Sequence, residues 1–280
     1  MHPVFYFIKT VDGVEGNCLV GFTIQNQTDA IRWSWHLWVT NYDPDDGGTT
    51  YSANGYEIMD RNLGAKSVAV PTETMGLYYQ WGRKDPFPRP QSFTAPAGSS
   101  STIPLYKEQN TPVPISRVNS GTLANPLNSS VTSPTMFIYN GNAVQNYDWM
   151  GANRNDNLWN DISGQKTIWD PCPEGWRIPA KQGAGEGNYS ITPWRDKHPP
   201  LANGDNGVTI NGMGYYPLNG MYRHSDGLFE LVNLFGSCWM ANANGVKAYC
   251  LSFDRGNVYH ASAGLAIYRA RGYPARCVKD

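Results

Sequence analysis

Residues 168–179, Ile-Trp-Asp-Pro-Cys-Pro-Glu-Gly-Trp-Arg-Ile-Pro, set the tightest limit on what this chain can fold into. Prolines at 171, 173 and 179 fix φ and remove three backbone donors, which excludes a helix interior and a central strand. The stretch reads as a rigid, extended ligature with Trp169 and Trp176 as large anchors. A ligature needs something to tie, and the chain's own end, Arg276-Cys277-Val278, is the obvious partner. A Cys172–Cys277 bridge would close a loop of about a hundred residues, worth nearer 5 kcal/mol in the chain-entropy account.

Composition agrees with a loop-rich fold. The 280 residues hold ten Trp and seventeen Tyr, and Gly and Pro together number 49 (29 and 20). Turn formers and aromatics at this density predict short strands and long ordered loops. Charged residues are 16% and the formal net charge is −1, so neither nucleic acid nor an anionic membrane is an expected partner. No apolar run of eighteen residues occurs, and no membrane insertion is expected. Residues 1–10 lack the pattern of a secretory signal. Five cysteines and an Asn-rich, aromatic surface nevertheless look exported. The expectation is therefore a piece of a longer exported protein, with residues 1–16 a remnant or edge strand of an upstream region.

Along the chain, residues 18–24 and 31–40 read as strands. In the second, Ile31, Trp33, Trp35, Leu37 and Val39 alternate with Arg32, Ser34, His36, Trp38 and Thr40, the pattern of a half-buried strand. Residues 73–82 are the best helix candidate, capped by Thr72. Residues 85–135, rich in Pro, Ser, Thr and Asn, read as a surface insertion. Short strands are predicted over 208–212, 215–220, 236–241, 247–254, 257–259 and 274–278, after a Gly-rich loop at 181–206.

Cys238 and Cys250 flank a turn with Asn244-Gly245, a strong hairpin signal. That hairpin would place the two thiols within reach of a cross-strand disulfide, leaving Cys18 as a buried free thiol. Asp43, Asp45 and Asp46 resemble half a calcium loop without its bidentate Glu, and read as a solvated acidic turn. Residues 158–161, Leu-Trp-Asn-Asp, read as aromatic packing plus an Asx turn. The histidines at 2, 36, 198, 224 and 260 show no metal-ligand spacing, and no nucleophile elbow or phosphate loop occurs. No metal, cofactor or catalytic residue is implied, and an enzyme is not expected. Tyr222, Arg223, His224, Trp239, Tyr259, His260, Tyr268 and Arg269 instead put Tyr, Trp, His and Arg into loops between short strands. Those residue types anchor recognition surfaces, and aromatic faces suit sugar rings.

Several stretches together resemble the major-paralogous-domain (FISUMP) family: residues 33–44, 59–64, 76–85, 170–179 and 271–278. The resemblance spans about residues 17–280, with 85–135 as an insertion. It implies an α+β domain of C-type-lectin-like fold with short twisted antiparallel strands, one or two helices and long ordered loops. It also implies a Cys172–Cys277 pairing and recognition loops in about 219–270. The function it implies is a non-catalytic binding module of a bacterial surface or fimbrial tip adhesin, extracellular, recognising a host or microbial glycan or protein. A variable ligand-binding protein of a diversity-generating retroelement, a pilus-capping subunit contacting pilins, and a carbohydrate-active enzyme are the alternatives.

Overall fold

The computed structural model describes residues 2–8, 15–24, 31–47, 49–51, 56–107, 111–180, 200–204, 206–210, 212–259 and 266–280. The elements are short strands in small, mostly antiparallel sheets with few helices, the α+β composition expected. Of the predicted 181–206 loop, residues 181–199 and 205 lie outside the described residues, and Pro200–Gly204 is a strand paired with Gly207–Ile210 instead of loop.

The organising element is the extended segment around Tyr78–Gln80, which pairs antiparallel with Gly272–Pro274. Here the sequence predicted a helix over 73–82. Only a short 3-10 turn, Pro71–Thr74, forms, and Val70 rather than Thr72 stands at its N-terminal cap position. Gly76 (φ +68°) and Gly82 (φ +85°) bracket the segment in left-handed conformations that interrupt a helix. At Gly76 a Cβ would lie 2.6 Å from the Leu63 carbonyl oxygen, so only glycine fits.

The core uses the carbonyls of this strand and of the turn that follows it, where the Arg83 N–H donates to the Gln80 carbonyl. The indole of Trp239 donates to the Tyr79 carbonyl (2.7 Å), that of Trp149 to the Trp81 carbonyl (2.8 Å) and that of Trp159 to the Arg83 carbonyl (3.2 Å). Trp81 in turn donates to the Met240 carbonyl at 3.0 Å. Buried Trp needs a partner for its N–H, and this segment supplies three. Gln80 spans the neighbouring elements, donating to the Ile138 and Ala270 carbonyls and accepting from the Ile138 N–H.

The ligature behaves as read. Cys172 and Cys277 form a disulfide, with Cα atoms 5.9 Å apart and a sequence separation of 105. Asp170 clamps the loop: its carboxylate accepts from the Cys172 and Ile178 N–H groups and from Lys166 Nζ. Trp176–Arg177 pairs with Val278–Lys279, which pairs with Tyr56–Ile58. Trp176 and Cys172 are buried, and half-buried Trp169 packs edge-on against Trp33.

Cys238 and Cys250 form no disulfide and both are buried; Cys18, partly exposed, is not in a disulfide either. The hairpin Gly236–Asn244 and Lys247–Phe253 exists, but an irregularity between Trp239 and Ala243 shifts its register. Its turn is Gly245-Val246, with Asn244 opposite Lys247, so the pairing is not centred on Asn244; past the irregularity Cys250 sits opposite Trp239, and Cys238 opposite Leu251. Because strand side chains alternate, the two thiols lie on opposite faces. Cys250 packs in the tryptophan core and Cys238 in a second core with Val208, Ile210, Tyr216 and Leu251.

Residues 85–135 contribute more than surface. Phe87, Phe93 and Ile115 share a third core with Tyr78, Phe137 and Tyr222. Ser116–Asn119 pairs parallel with Met136–Tyr139, and Pro126–Thr132 is a helix capped by the Asn125 side chain. His2–Ile8 lies inside a five-stranded sheet, between Gly16–Thr23 and Leu105–Lys107, rather than at its edge.

In that sheet, Trp33–Val39 reverses the expected faces. Ser34 is fully buried, while Trp35, Leu37 and Val39 are 51%, 49% and 55% exposed. The inner face is polar and paired: Ser34 donates to Asp85 (2.6 Å), Lys84 bridges the two, and His36 contacts Asn17 and Tyr79. Buried polar groups with complete partners cost little to bury, so the apolar row is the one left outside.

Candidate functional site

Three rings from distant parts of the chain meet at the surface. Tyr147, His224 and Tyr268 are part-exposed, with centroids 4.6, 4.4 and 4.7 Å apart. They tilt by 68°, 55° and 58° to one another, so they form facets rather than one plane.

Each ring is held by backbone. Tyr147 follows the short turn Ala143–Gln145, and both Asn146 (φ 53°) and Tyr147 (φ 52°) are left-handed. Such conformations cost about 1–3 kcal/mol each in a non-glycine residue and gather at ligand-binding positions. They persist here because the Tyr147 N–H donates to the Asn142 carbonyl and its own carbonyl accepts from Ala270. His224 lies in the turn after Met221–Tyr222, where its carbonyl accepts from the Asn140 N–H at 2.7 Å. Tyr268 ends the strand Ala266–Tyr268, which pairs with Lys247–Phe253.

Beneath the rings lies a buried ion pair. Tyr147 and Tyr268 point outward, while the next residues, Asp148 and Arg269, turn inward and face each other (Oδ2 to Nη1, 3.6 Å). Arg269 is 0% exposed. It donates to the Lys247 and Gly245 carbonyls, pairs with Asp156 at 2.7 Å, and lies 4.4 Å over the Trp81 ring. Burial pushes the Asp148 carboxyl up to about 6, against the pull of Arg269.

Two cations flank Tyr268. Lys247 Nζ is 5.0 Å and the Arg271 guanidinium 5.6 Å from its ring centroid. Arg271 Nε donates to His224 Nδ1 (3.5 Å) and Nη1 to the Tyr273 hydroxyl (3.1 Å). Burial, with Arg271 beside it, lowers the His224 pKa to about 4, so the ring is neutral at pH 7. With Nδ1 accepting, Nε2 carries the proton and remains a donor.

The structure divides the predicted site residues. His224 and Tyr268 come together. Arg223 lies beside them but is committed to Asp226 through two donors. Tyr222, Trp239 and Arg269 are each 0% exposed and belong to the scaffold. Tyr222 donates to the Pro88 carbonyl and packs against Phe137 and Phe229. These three were expected to touch ligand; in the loops of an aromatic-rich chain, anchor and plug use the same residue types. Tyr259 is placed only as part of the strand Val258–Tyr259, and His260 lies outside the described residues. Tyr147, Lys247 and Arg271 were missed. The one sequence signal for Tyr147 is the Asn-rich run before it, since Asn tolerates left-handed backbone.

Elsewhere, Asp161 makes the expected Asx turn, accepting from Ser163 and Gln165 backbone N–H groups, and Trp159 is core. In the acidic turn, Asp43 accepts from the Asp45 N–H and Asp45 pairs with Lys279 at 2.9 Å. Among the described residues no three His, Cys, Asp or Glu groups converge as a metal set, and no helix is long and apolar enough to cross a membrane.

No protein family, curated protein or solved structure matches the chain in comparison with each.

Proposed function

We propose that this chain is a non-catalytic recognition module of C-type-lectin-like architecture, displayed by an exported bacterial surface or fimbrial tip adhesin, and that it binds a glycan. The observation that carries this reading is the Tyr147–His224–Tyr268 cluster flanked by Lys247 and Arg271. Partly exposed aromatics with cations at their edges are the usual anchors of a binding surface. The scaffold is rigid where it matters: the Cys172–Cys277 bridge, the indole-to-carbonyl bonds and the Asp148–Arg269 pair fix the elements carrying the rings. Pre-set side chains lose little entropy on binding. A glycan array probed with the intact protein, with and without chelator, tests the reading. The expected result is retention of a saccharide by the wild type and its loss in Tyr268→Ala of unchanged melting temperature. Retention by Tyr147→Ala and Tyr268→Ala alike would remove the cluster from the function.

A second reading, an assembly subunit that docks a β-rich pilin neighbour, is favoured by the outward row of Trp35, Leu37 and Val39, with Phe22 stacked on Trp35 (centroids 5.8 Å). Contiguous exposed apolar surface of this kind marks interaction sites. Co-purification with a neighbouring subunit that Trp35→Ser abolishes would support it; an unaffected complex would discard it.

A further inference from the structure

We infer that the ring cluster selects an acidic saccharide, a sugar carrying a carboxylate such as a hexuronate, over its neutral counterpart. The inference rests on the recognition reading above and adds the ligand's charge. It follows from what the two cations are not doing. Lys247 Nζ makes no hydrogen bond or ion pair among the described residues; its one contact is the Tyr268 ring. Arg271 spends Nε on His224 and Nη1 on Tyr273, and Nη2 has no partner there. The carboxylates nearby are engaged with other cations. Asp226 is held by Arg223, and Asp148 and Asp156 by Arg269. Glu230 reaches Arg271 only through space. A chain of formal net charge −1 thus presents two cations without a paired carboxylate, on either side of one tyrosine.

Ring geometry selects the rest of the ligand. Flat bases stack on coplanar platforms, whereas these rings tilt by 55° to 68°. Faceted rings fit the C–H faces of a puckered sugar. A carboxylate on that sugar would meet Arg271 Nη2 or Lys247 Nζ, and the His224 Nε2–H remains to donate to a hydroxyl. Charge-assisted bonds of this kind are the stronger class.

The test is calorimetric titration of the intact protein at low salt with trigalacturonate and with its methyl ester, which keeps the rings and removes the charge. The acid should bind about tenfold more tightly, a difference of ~1.4 kcal/mol, and the preference should shrink in 0.3 M salt. Lys247→Gln and Arg271→Gln should bring the acid down to the ester. Lys247→Gln changes a surface side chain, so its folding is not at risk, and melting temperatures check Arg271→Gln. Equal binding of acid and ester, lost in Tyr268→Ala, overturns the charge inference and leaves the recognition reading standing. If trigalacturonate, sialyllactose and a heparin hexasaccharide all fail to bind, the inference is overturned. If a neutral-glycan array then also fails, the recognition reading falls with it.

Discussion

Removing the Cys172–Cys277 bridge tests the ligature most sharply. The link spans 105 residues. In the chain-entropy account, closing a loop of that size in the unfolded chain is worth ~4.7 kcal/mol at 25 °C. Unfolding entropy of about 2.1 cal/mol/K per residue over the whole chain gives ~0.6 kcal/mol/K, so Cys172→Ala/Cys277→Ala should melt about 8 °C lower. Lost sulfur packing adds to this, because both cysteines are buried. Each single variant should cost nearly as much as the pair, since either one opens the loop. Guanidinium unfolding followed by tryptophan fluorescence should show a lower midpoint and a steeper slope, the unfolded chain being freer to expand. The C-terminal strand is also held by hydrogen bonds, Met59 N–H to the Cys277 carbonyl and Leu63 N–H to the Ala275 carbonyl. The folded state should therefore survive. A fall below 3 °C with an unchanged slope would refute the staple.

Other predictions concern the interior. Titration of the denatured, unreduced protein should find three thiols, Cys18, Cys238 and Cys250; a single thiol would restore the hairpin bridge. In the native state at pH 8 these should react slowly, since burial raises Cys18 to about 11 and the other two to about 12. His36 should make the fold acid-sensitive. Asn17 donates Nδ2 to the Gly64 carbonyl, so its Oδ1 accepts from His36 Nε2–H, and Nδ1 accepts from the Tyr79 hydroxyl. Burial lowers this neutral ring to about 4 from 6.5. The unfolded chain then binds more protons between those values, and stability falls as pH drops through that window, by up to ~3 kcal/mol. His224 acts in the same sense and Asp148, raised to about 6, in the opposite one between about 4 and 6. Denaturant titrations should show a flatter acid limb in His36→Gln; an identical profile would discount His36. Gly76→Ala should cost about 2 kcal/mol or more, through left-handed backbone and the Leu63 carbonyl, read as a lower denaturant midpoint.

What the sequence could tell depended on whether local chemistry settled the outcome. Residues 168–179 were legible because three prolines leave one kind of backbone, and a distant cysteine supplies the tie. The 236–253 hairpin was legible as a hairpin, since Gly245 marks its turn. Its register was not: a turn centred on Asn244 would set the cysteines face to face, whereas the observed pairing puts Trp239, not Cys238, opposite Cys250 and so sends the thiols to opposite faces. Residues 73–82 misled because Met75, Tyr78, Tyr79 and Trp81 have helical spacing. Only the tertiary structure shows three indoles seeking carbonyls of a strand and the turn after it there. The strand Trp33–Val39 misled in the same way: hydrophobicity pointed outward because Ser34 and His36 have buried partners 51 and 43 residues along the chain, Asp85 and Tyr79. In the candidate site, residue type found His224 and Tyr268. It could not separate them from Tyr222, Trp239 and Arg269, whose neighbours come from remote elements. Tyr147 needed the left-handed pair at 146–147 to bring it beside them.

The central claim is that ligand meets the chain at the ring cluster. Amide chemical-shift mapping of the intact protein, with a saccharide recovered from the array, tests that directly. Shifts centred on residues 142–147, 222–226, 247 and 266–271 are the predicted result. Shifts centred instead on Trp35, Leu37 and Val39, with the ring cluster unmoved, would contradict it.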